Sequence, residues 1–269
     1  MKRLIWILIA IMTASCTKDK IAEHLVIDGW IEDGGYPVVI VTSSVALTEG
    51  TLDYDDLAGH VLRWATVSVS DGEETYFLTG MKNEHYFPPY IYTTSKFKGQ
   101  AGKKYSLKVK YGETEATAET SIPAPESLNS IGYNETSDGY SVKASFTARD
   151  GSYYGFFTRR EQKDSTYLGC MYSLVDGSAV AGESEATLFR GFNIMGAEYS
   201  WYYESGDRVR VRFCTMDYDT YNYWKGVYDE WVFSRNPFFP VRSTAPSNVV
   251  GGYGYWAGYG AAYYVVDMP

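Results

Sequence analysis

From residue 25 onward the apolar side chains of this chain recur at every second position in short runs, a period that commits it to pleated strands. The clearest run is Tyr105, Leu107, Val109 and Tyr111, alternating with Ser106, Lys108 and Lys110; Gly112-Glu113 then supplies a two-residue turn and residues 114–122 return. Residues 25–31 and 37–43 read the same way around Asp33-Gly34-Gly35. So do Ala65, Val67 and Val69, turned by Asp71-Gly72 into residues 75–78. Residues 83–102, with Pro88-Pro89, read as an irregular rim loop. Pro123-Ala124-Pro125 interrupts the pattern after a complete strand and marks a boundary. It closes an N-terminal β-sandwich over residues 25–123 and opens a C-terminal β domain over residues 126–269.

In the second half Tyr140, Val142, Ala144 and Phe146 alternate, Asp150-Gly151 turns, and Tyr154, Phe156 and Thr158 continue. Further strands are expected at residues 168–175, 187–194 and 209–213. One helix is expected near residues 220–233, with Asp219 as N-cap and Asn236-Pro237 as its end. Its Tyr221, Trp224, Val227, Tyr228 and Trp231 recur at three- and four-residue spacing, which suits packing on a sheet. The last stretch, residues 247–266, alternates small and aromatic residues, so a neighbouring backbone or ring can approach closely. The fold class is mostly β: two β-sandwich-like domains of immunoglobulin or fibronectin type, the second with one inserted amphipathic helix.

The N-terminus has another logic. Lys2 and Arg3 precede an apolar run over residues 4–12, then Thr13-Ala14-Ser15 and Cys16. A bilayer core needs roughly 20 helical residues, so this run is a cleavable signal rather than a span. Residues 1–15 are expected to be a lipoprotein signal peptide, Cys16 the acylated first residue of the mature chain, and residues 16–24 a lipidated tether. Acyl chains contribute about 0.8 kcal/mol per buried methylene, enough to hold a soluble domain on a membrane. The formal charge of −9 makes nucleic acid a poor partner.

Chemistry is sparse. His24, His60 and His85 have no ligand spacing, and Asp53, Asp55 and Asp56, or Asp217 and Asp219, lack the order of a calcium loop. Neither a metal nor another cofactor is expected, and no catalytic residue is singled out. Beyond Cys16 only Cys170 and Cys214 remain. An oxidising compartment permits a disulfide, but Val209, Val211 and Phe213 form the apolar face of their strand and turn Cys214 outward, so two free thiols are expected. Aromatic content of 17% leaves surface capture as the working chemistry. The candidate ligand-binding residues are Trp201, Tyr202, Tyr203, Tyr253, Tyr255 and Trp256.

Several stretches together resemble the Bacteroidota outer-membrane lipoproteins grouped as domain of unknown function 4249. They are Val26-Ile-Asp-Gly-Trp-Ile31, Ala65-Thr-Val-Ser-Val-Ser-Asp-Gly72, Gly102-Lys-Lys-Tyr-Ser-Leu-Lys-Val109, Ala118-Glu-Thr-Ser-Ile-Pro123, Asn236-Pro-Phe238 and Ser247-Asn-Val-Val-Gly-Gly-Tyr-Gly-Tyr255. The resemblance implies a non-catalytic accessory lipoprotein at the cell surface, beside a TonB-dependent transporter and companion lipoproteins, capturing peptide or glycan. A lipid-anchored hydrolase, or an adhesin or structural subunit, are the alternatives.

Overall fold

A computed structural model describes residues 24–44, 58–170, 172–191, 200–234 and 245–269. The strands of the first half are β1 (Leu25–Glu32), β2 (Val38–Ser43), β3 (Thr66–Ser70), β4 (Thr75–Phe77), β5 (Thr79–Lys82), β6 (Tyr90–Thr93), β7 (Lys104–Tyr111) and β8 (Thr114–Ser121). The second half contributes β9 (Leu128–Thr136), β10 (Gly139–Ala148), β11 (Tyr153–Arg160), β12 (Leu168–Gly169), β13 (Val175–Asp176), helix α1 (Gly177–Val180) and β14 (Gly182–Leu188). Then come β15 (Arg208–Met216), helix α2 (Tyr218–Ser234) and β16 (Gly252–Asp267).

Among the described residues the strands form three sheets. The largest has nine strands in the order β12-β11-β15-β16-β1-β2-β6-β5, with β13 also beside β11. One four-stranded sheet, β4-β3-β7-β8, and one three-stranded sheet, β14-β10-β9, complete the set. Alternation along each strand then assigns the layers. Leu25, Ile27 and Ile31 of β1 pack with Val67, Val69, Leu107 and Val109 of the four-stranded sheet. Tyr154 and Phe156 of β11, with Val209, Val211 and Phe213 of β15, pack with Val142, Ala144 and Phe146 of the three-stranded sheet. Both small sheets therefore cover one face of the large one, giving a mostly β, sandwich-like molecule. The opposite face carries α2, seated on Phe157, Cys214, Met216, Tyr255, Ala257 and Tyr259.

Strand β16 runs through the middle of this arrangement, parallel to β1 and antiparallel to β15. Its small residues let other chain cross tightly: a Cβ on Gly258 would sit 2.1 Å from the Ser121 carbonyl oxygen, and one on Gly260 would sit 2.6 Å from that of Pro123.

Local readings differ from the structure in several places. Ser70 pairs with Thr75, so the turn at Asp71 spans residues 71–74 instead of two; Asp71 Oδ1 accepts the backbone N–H groups of Glu73 at 3.1 Å and Glu74 at 2.9 Å, which stabilises the wider loop. The expected rim loop contains β6, paired with β2 and β5. Strands β10 and β11 do not pair; their apolar faces meet across the core, with Phe146 and Phe156 rings 5.7 Å apart, so Asp150-Gly151 is a corner between sheets. Residues 168–175 are not one strand, because Tyr172 adopts φ 57 and breaks the pleat. Helix α2 starts at Tyr218 with Asp217, not Asp219, as its cap: Asp217 Oδ1 accepts the Thr220 N–H at 2.9 Å. Cys214 does leave the face of Val211 and Phe213, but α2 covers the side it enters, so it is buried rather than outward; both it and Cys170 are free thiols. Cys16, the signal segment, Asp53, Asp55, Asp56, Asn236-Pro237 and the side chain of Trp231 lie outside the described residues, as does the end of the strand expected at 187–194.

Candidate functional site

The sequence LVIDGWIE of β1 sends Asp28, Trp30 and Glu32 to the α2 side of the large sheet, opposite the core face of Ile27 and Ile31. Register sets their neighbours. Asp28 lies between Tyr255 of β16 and Ile40 of β2, Glu32 lies beside Tyr259, and Arg212 of β15 lies beside Tyr263 and Phe157. Helix α2 lays Tyr223 and Trp224 over this patch, while Tyr86 and Tyr167 close its sides. The result is a cavity of ≈ 240 Å³.

A fixed polar network forms one end. Arg212 Nη1 donates to Glu32 Oε1 at 2.9 Å, each side chain is 9% accessible, and the Tyr263 hydroxyl donates to Glu32 Oε2. The guanidinium also lies over the rings of Phe157 at 4.5 Å, Tyr259 at 5.3 Å and Tyr167 at 5.4 Å. Burial alone would lower the Arg212 pKa, but neighbouring Cys214 and Glu32 hold it above its ordinary value, so it stays charged. Trp224 Nε1 donates to the Tyr259 hydroxyl at 2.7 Å, and Tyr223 stacks on Tyr255 with centroids 4.4 Å apart, which docks α2 on the sheet.

Asp28 is different. Its carboxylate makes no hydrogen bond or ion pair with the described residues, and it is open to the cavity although protein surrounds it on its other sides. The side chain is exposed, yet desolvation by the protein around it pushes its pKa up from 3.8 to about 6, against a smaller opposing pull from Arg212. Burial also raises the phenol pKa of Tyr86, Tyr167, Tyr223, Tyr255, Tyr259 and Tyr263 above the ordinary value, so each remains a neutral hydroxyl. Chemically the cavity offers ring faces, hydroxyl groups and one unengaged carboxylate.

The six aromatics expected to bind ligand do not share a site. Tyr255 lines the cavity. Trp256, next in sequence, points to the other face, fully buried, with Nε1 donating to the Tyr105 carbonyl at 3.1 Å. Tyr203 is also buried, its hydroxyl bonded to Thr158 Oγ1 at 2.9 Å and the Phe189 carbonyl at 3.0 Å. Trp201 is partly exposed and stacks on Tyr172, Tyr202 packs edge-on against Phe189, and the exposed Tyr253 meets the His24 ring. Sequence reading missed Asp28, Glu32 and Arg212. The available signal was two carboxylates and a Trp on one face of β1.

His60 Nδ1 pairs with Ser43 Oγ at 3.0 Å, and no group of three or more His, Cys, Asp or Glu gathers at metal-binding distance among the described residues. No described helix is long and apolar enough to cross a membrane.

A family model described as Domain of unknown function (DUF4249) matches residues 15–263. The chain belongs to this family. The DUF4249 match spans β1 and β16 as far as Tyr263, so the parts of these strands that floor the cavity fall within it. No curated protein matches this DUF4249 chain.

Proposed function

We propose that this protein is a non-catalytic, lipid-anchored accessory subunit of an outer-membrane uptake complex, and that it captures peptide or glycan substrate in the cavity between α2 and the large sheet. The observation that carries the reading is the cavity's make-up: a partly open, ring-lined space with a fixed Arg212–Glu32 pair and an unengaged Asp28. Aromatic walls with a few placed polar groups are how small ligands are held. The Cys16 context supplies the anchor, and residence beside a TonB-dependent transporter and companion lipoproteins follows from the resemblance described above.

Two carboxylates in one cavity invite comparison with the hydrolase alternative. Asp28 and Glu32 are four positions apart on one strand, and a rise of about 3.3 Å per residue separates them by about 13 Å, beyond the 5–9.5 Å range of glycosidase pairs. Both Glu32 oxygens are moreover engaged by Arg212 and Tyr263. Capture is the better-supported chemistry.

The test is isolation of the tagged full-length protein from gently solubilised outer membranes, combined with a peptide and glycan binding screen. A transporter and companion lipoproteins in stoichiometric yield, with binding lost in Trp224→Ala, is the expected result. Recovery of the protein alone, or hydrolysis of a screened compound, would overturn the proposal.

A further inference from the structure

We infer that the cavity takes an organic ammonium group, an amino sugar or a lysine-bearing peptide, with Asp28 as its counter-ion and the rings of Trp30, Tyr86, Tyr223 and Tyr255 as its walls. This rests on the capture reading above and names the class of ligand.

Charge leads the argument. Arg212 is already matched by Glu32 at 2.9 Å, so the pair presents little net charge, and Asp28, exposed on the cavity floor, is left as an unmatched anion among the lining rings. An unpaired carboxylate at the base of a low-dielectric, ring-lined cleft draws cations to it. The groups around Asp28 are mostly neutral phenols, and β11 adds one more cation, Arg159, over the Tyr167 ring at 5.4 Å and acting on Tyr86 and Tyr167. Strand β16 contributes the phenols of Tyr255, Tyr259 and Tyr263, α2 contributes Tyr223 with Glu230 acting on it, the segment before β6 contributes Tyr86, and the segment before β12 contributes Tyr167. On β2 the neighbour is apolar Ile40. Arg212 is the positive group that acts on Asp28, and Glu32 holds it.

Shape agrees. Tyr223 and Tyr255 stack at 4.4 Å and so cover the faces they turn to each other, Trp30 and Tyr86 lie 5.8 Å apart at a tilt, and all four rings line the cavity. Ring faces carry negative potential and attract ammonium groups, most strongly when water is excluded. A space of ≈ 240 Å³ suits a side-chain-sized head group rather than a folded domain.

Fluorescence of the cavity tryptophans Trp30 and Trp224 supplies the readout, on the full chain in detergent. The probes are glucosamine against N-acetylglucosamine, and Nα-acetyl-lysine amide against its Nε-acetylated form. Both ammonium probes, or one, should bind at pH 7, and which one separates the glycan source from the peptide source. Affinity should fall about tenfold at pH 5, where an Asp28 with a pKa of about 6 is mostly protonated, and at least tenfold in Asp28→Asn. Acetylated probes should bind more weakly by a similar factor. Equal binding of acetylated and free amines, or an unchanged affinity in Asp28→Asn, overturns the ammonium assignment while leaving capture standing. Failure of every probe, charged and neutral, overturns capture in this cavity as well. The pH series on the unaltered protein keeps the test decisive if Asp28→Asn folds poorly.

Discussion

Replacing Glu32 with Leu should destabilise the protein by about 3–5 kcal/mol, because it strands the Arg212 charge in a place water barely reaches. The two side chains are each 9% accessible and their charged atoms lie 2.9 Å apart. With charge centres about 4 Å apart and an effective dielectric of about 20, their attraction is about 4 kcal/mol. Exposed pairs such as Lys82–Glu84, 71% and 79% accessible, belong to the class worth about 0–1 kcal/mol. The pair also spans β16, since Glu32 is on β1 and Arg212 on β15, so its loss loosens three adjacent strands together. Arg212→Leu should cost as much, because it leaves the carboxylate alone and removes the contacts over Phe157 and Tyr259. The double variant Glu32→Leu/Arg212→Leu should return to within about 1–2 kcal/mol of the natural protein, since apolar pairs of matching size often substitute for buried ion pairs. Urea titrations followed by tryptophan fluorescence give all four stabilities and hence the coupling energy. A Glu32→Leu loss below about 1 kcal/mol, or costs that simply add in the double variant, would refute the claim that this pair is sequestered from solvent.

Asp28 makes its own mark on stability. Its folded pKa of about 6 exceeds the unfolded value, so the native state binds the extra proton between about pH 4 and 6, and stability falls as pH rises through that window. Asp28→Asn should therefore stabilise at pH 7 and not at pH 4. The shift itself corresponds to about 3 kcal/mol, and openness to the cavity reduces the expected gain to about 1 kcal/mol, readable in thermal melts at both pH values. Trp256→Ala should cost about 3–5 kcal/mol in the same urea assay, whereas Tyr253→Ala, at an exposed position, should change stability by less than about 0.5 kcal/mol. Cys170 and Cys214 are buried and pushed up to about 12, so iodoacetamide should modify neither in the folded protein and both after denaturation, as counted by mass spectrometry.

Local pairing was written plainly in the sequence. The hairpin of β7 and β8 follows from period two and the Gly112-Glu113 turn, and α2 from its aromatic spacing, though that reading sets its cap two residues late, at Asp219. The long-range assembly was not so written. Nothing in LVIDGWIE tells that β1 will lie parallel to a strand near the other end of the chain, and parallel pairing leaves no turn as a signature. For the same reason the hairpin reading of residues 25–31 and 37–43 gives no role to Asp28 and Glu32, and the face of β15 opposite Val209, Val211 and Phe213 reads as pointing outward. The helix covering that face converts part of it into a lined cavity. Strand β9 escaped notice because LNSIGYNET mixes half-buried and exposed positions without a clean alternation. The aromatic pairs at Trp201-Tyr202 and Tyr255-Trp256 were bound to be split between faces, and sequence alone does not say which face is roofed.

The central place of β16 has a consequence for how the chain is made. Glu32 meets the Tyr263 hydroxyl 231 positions later, so all of that intervening chain must be delivered before β1 finds its inner neighbour. Until then one margin of β1 stays bare, an open template for any stray strand. A chain cut short before residue 252 is thus expected to clump and to have no pocket at all, making ligand binding a test that β16 is in place.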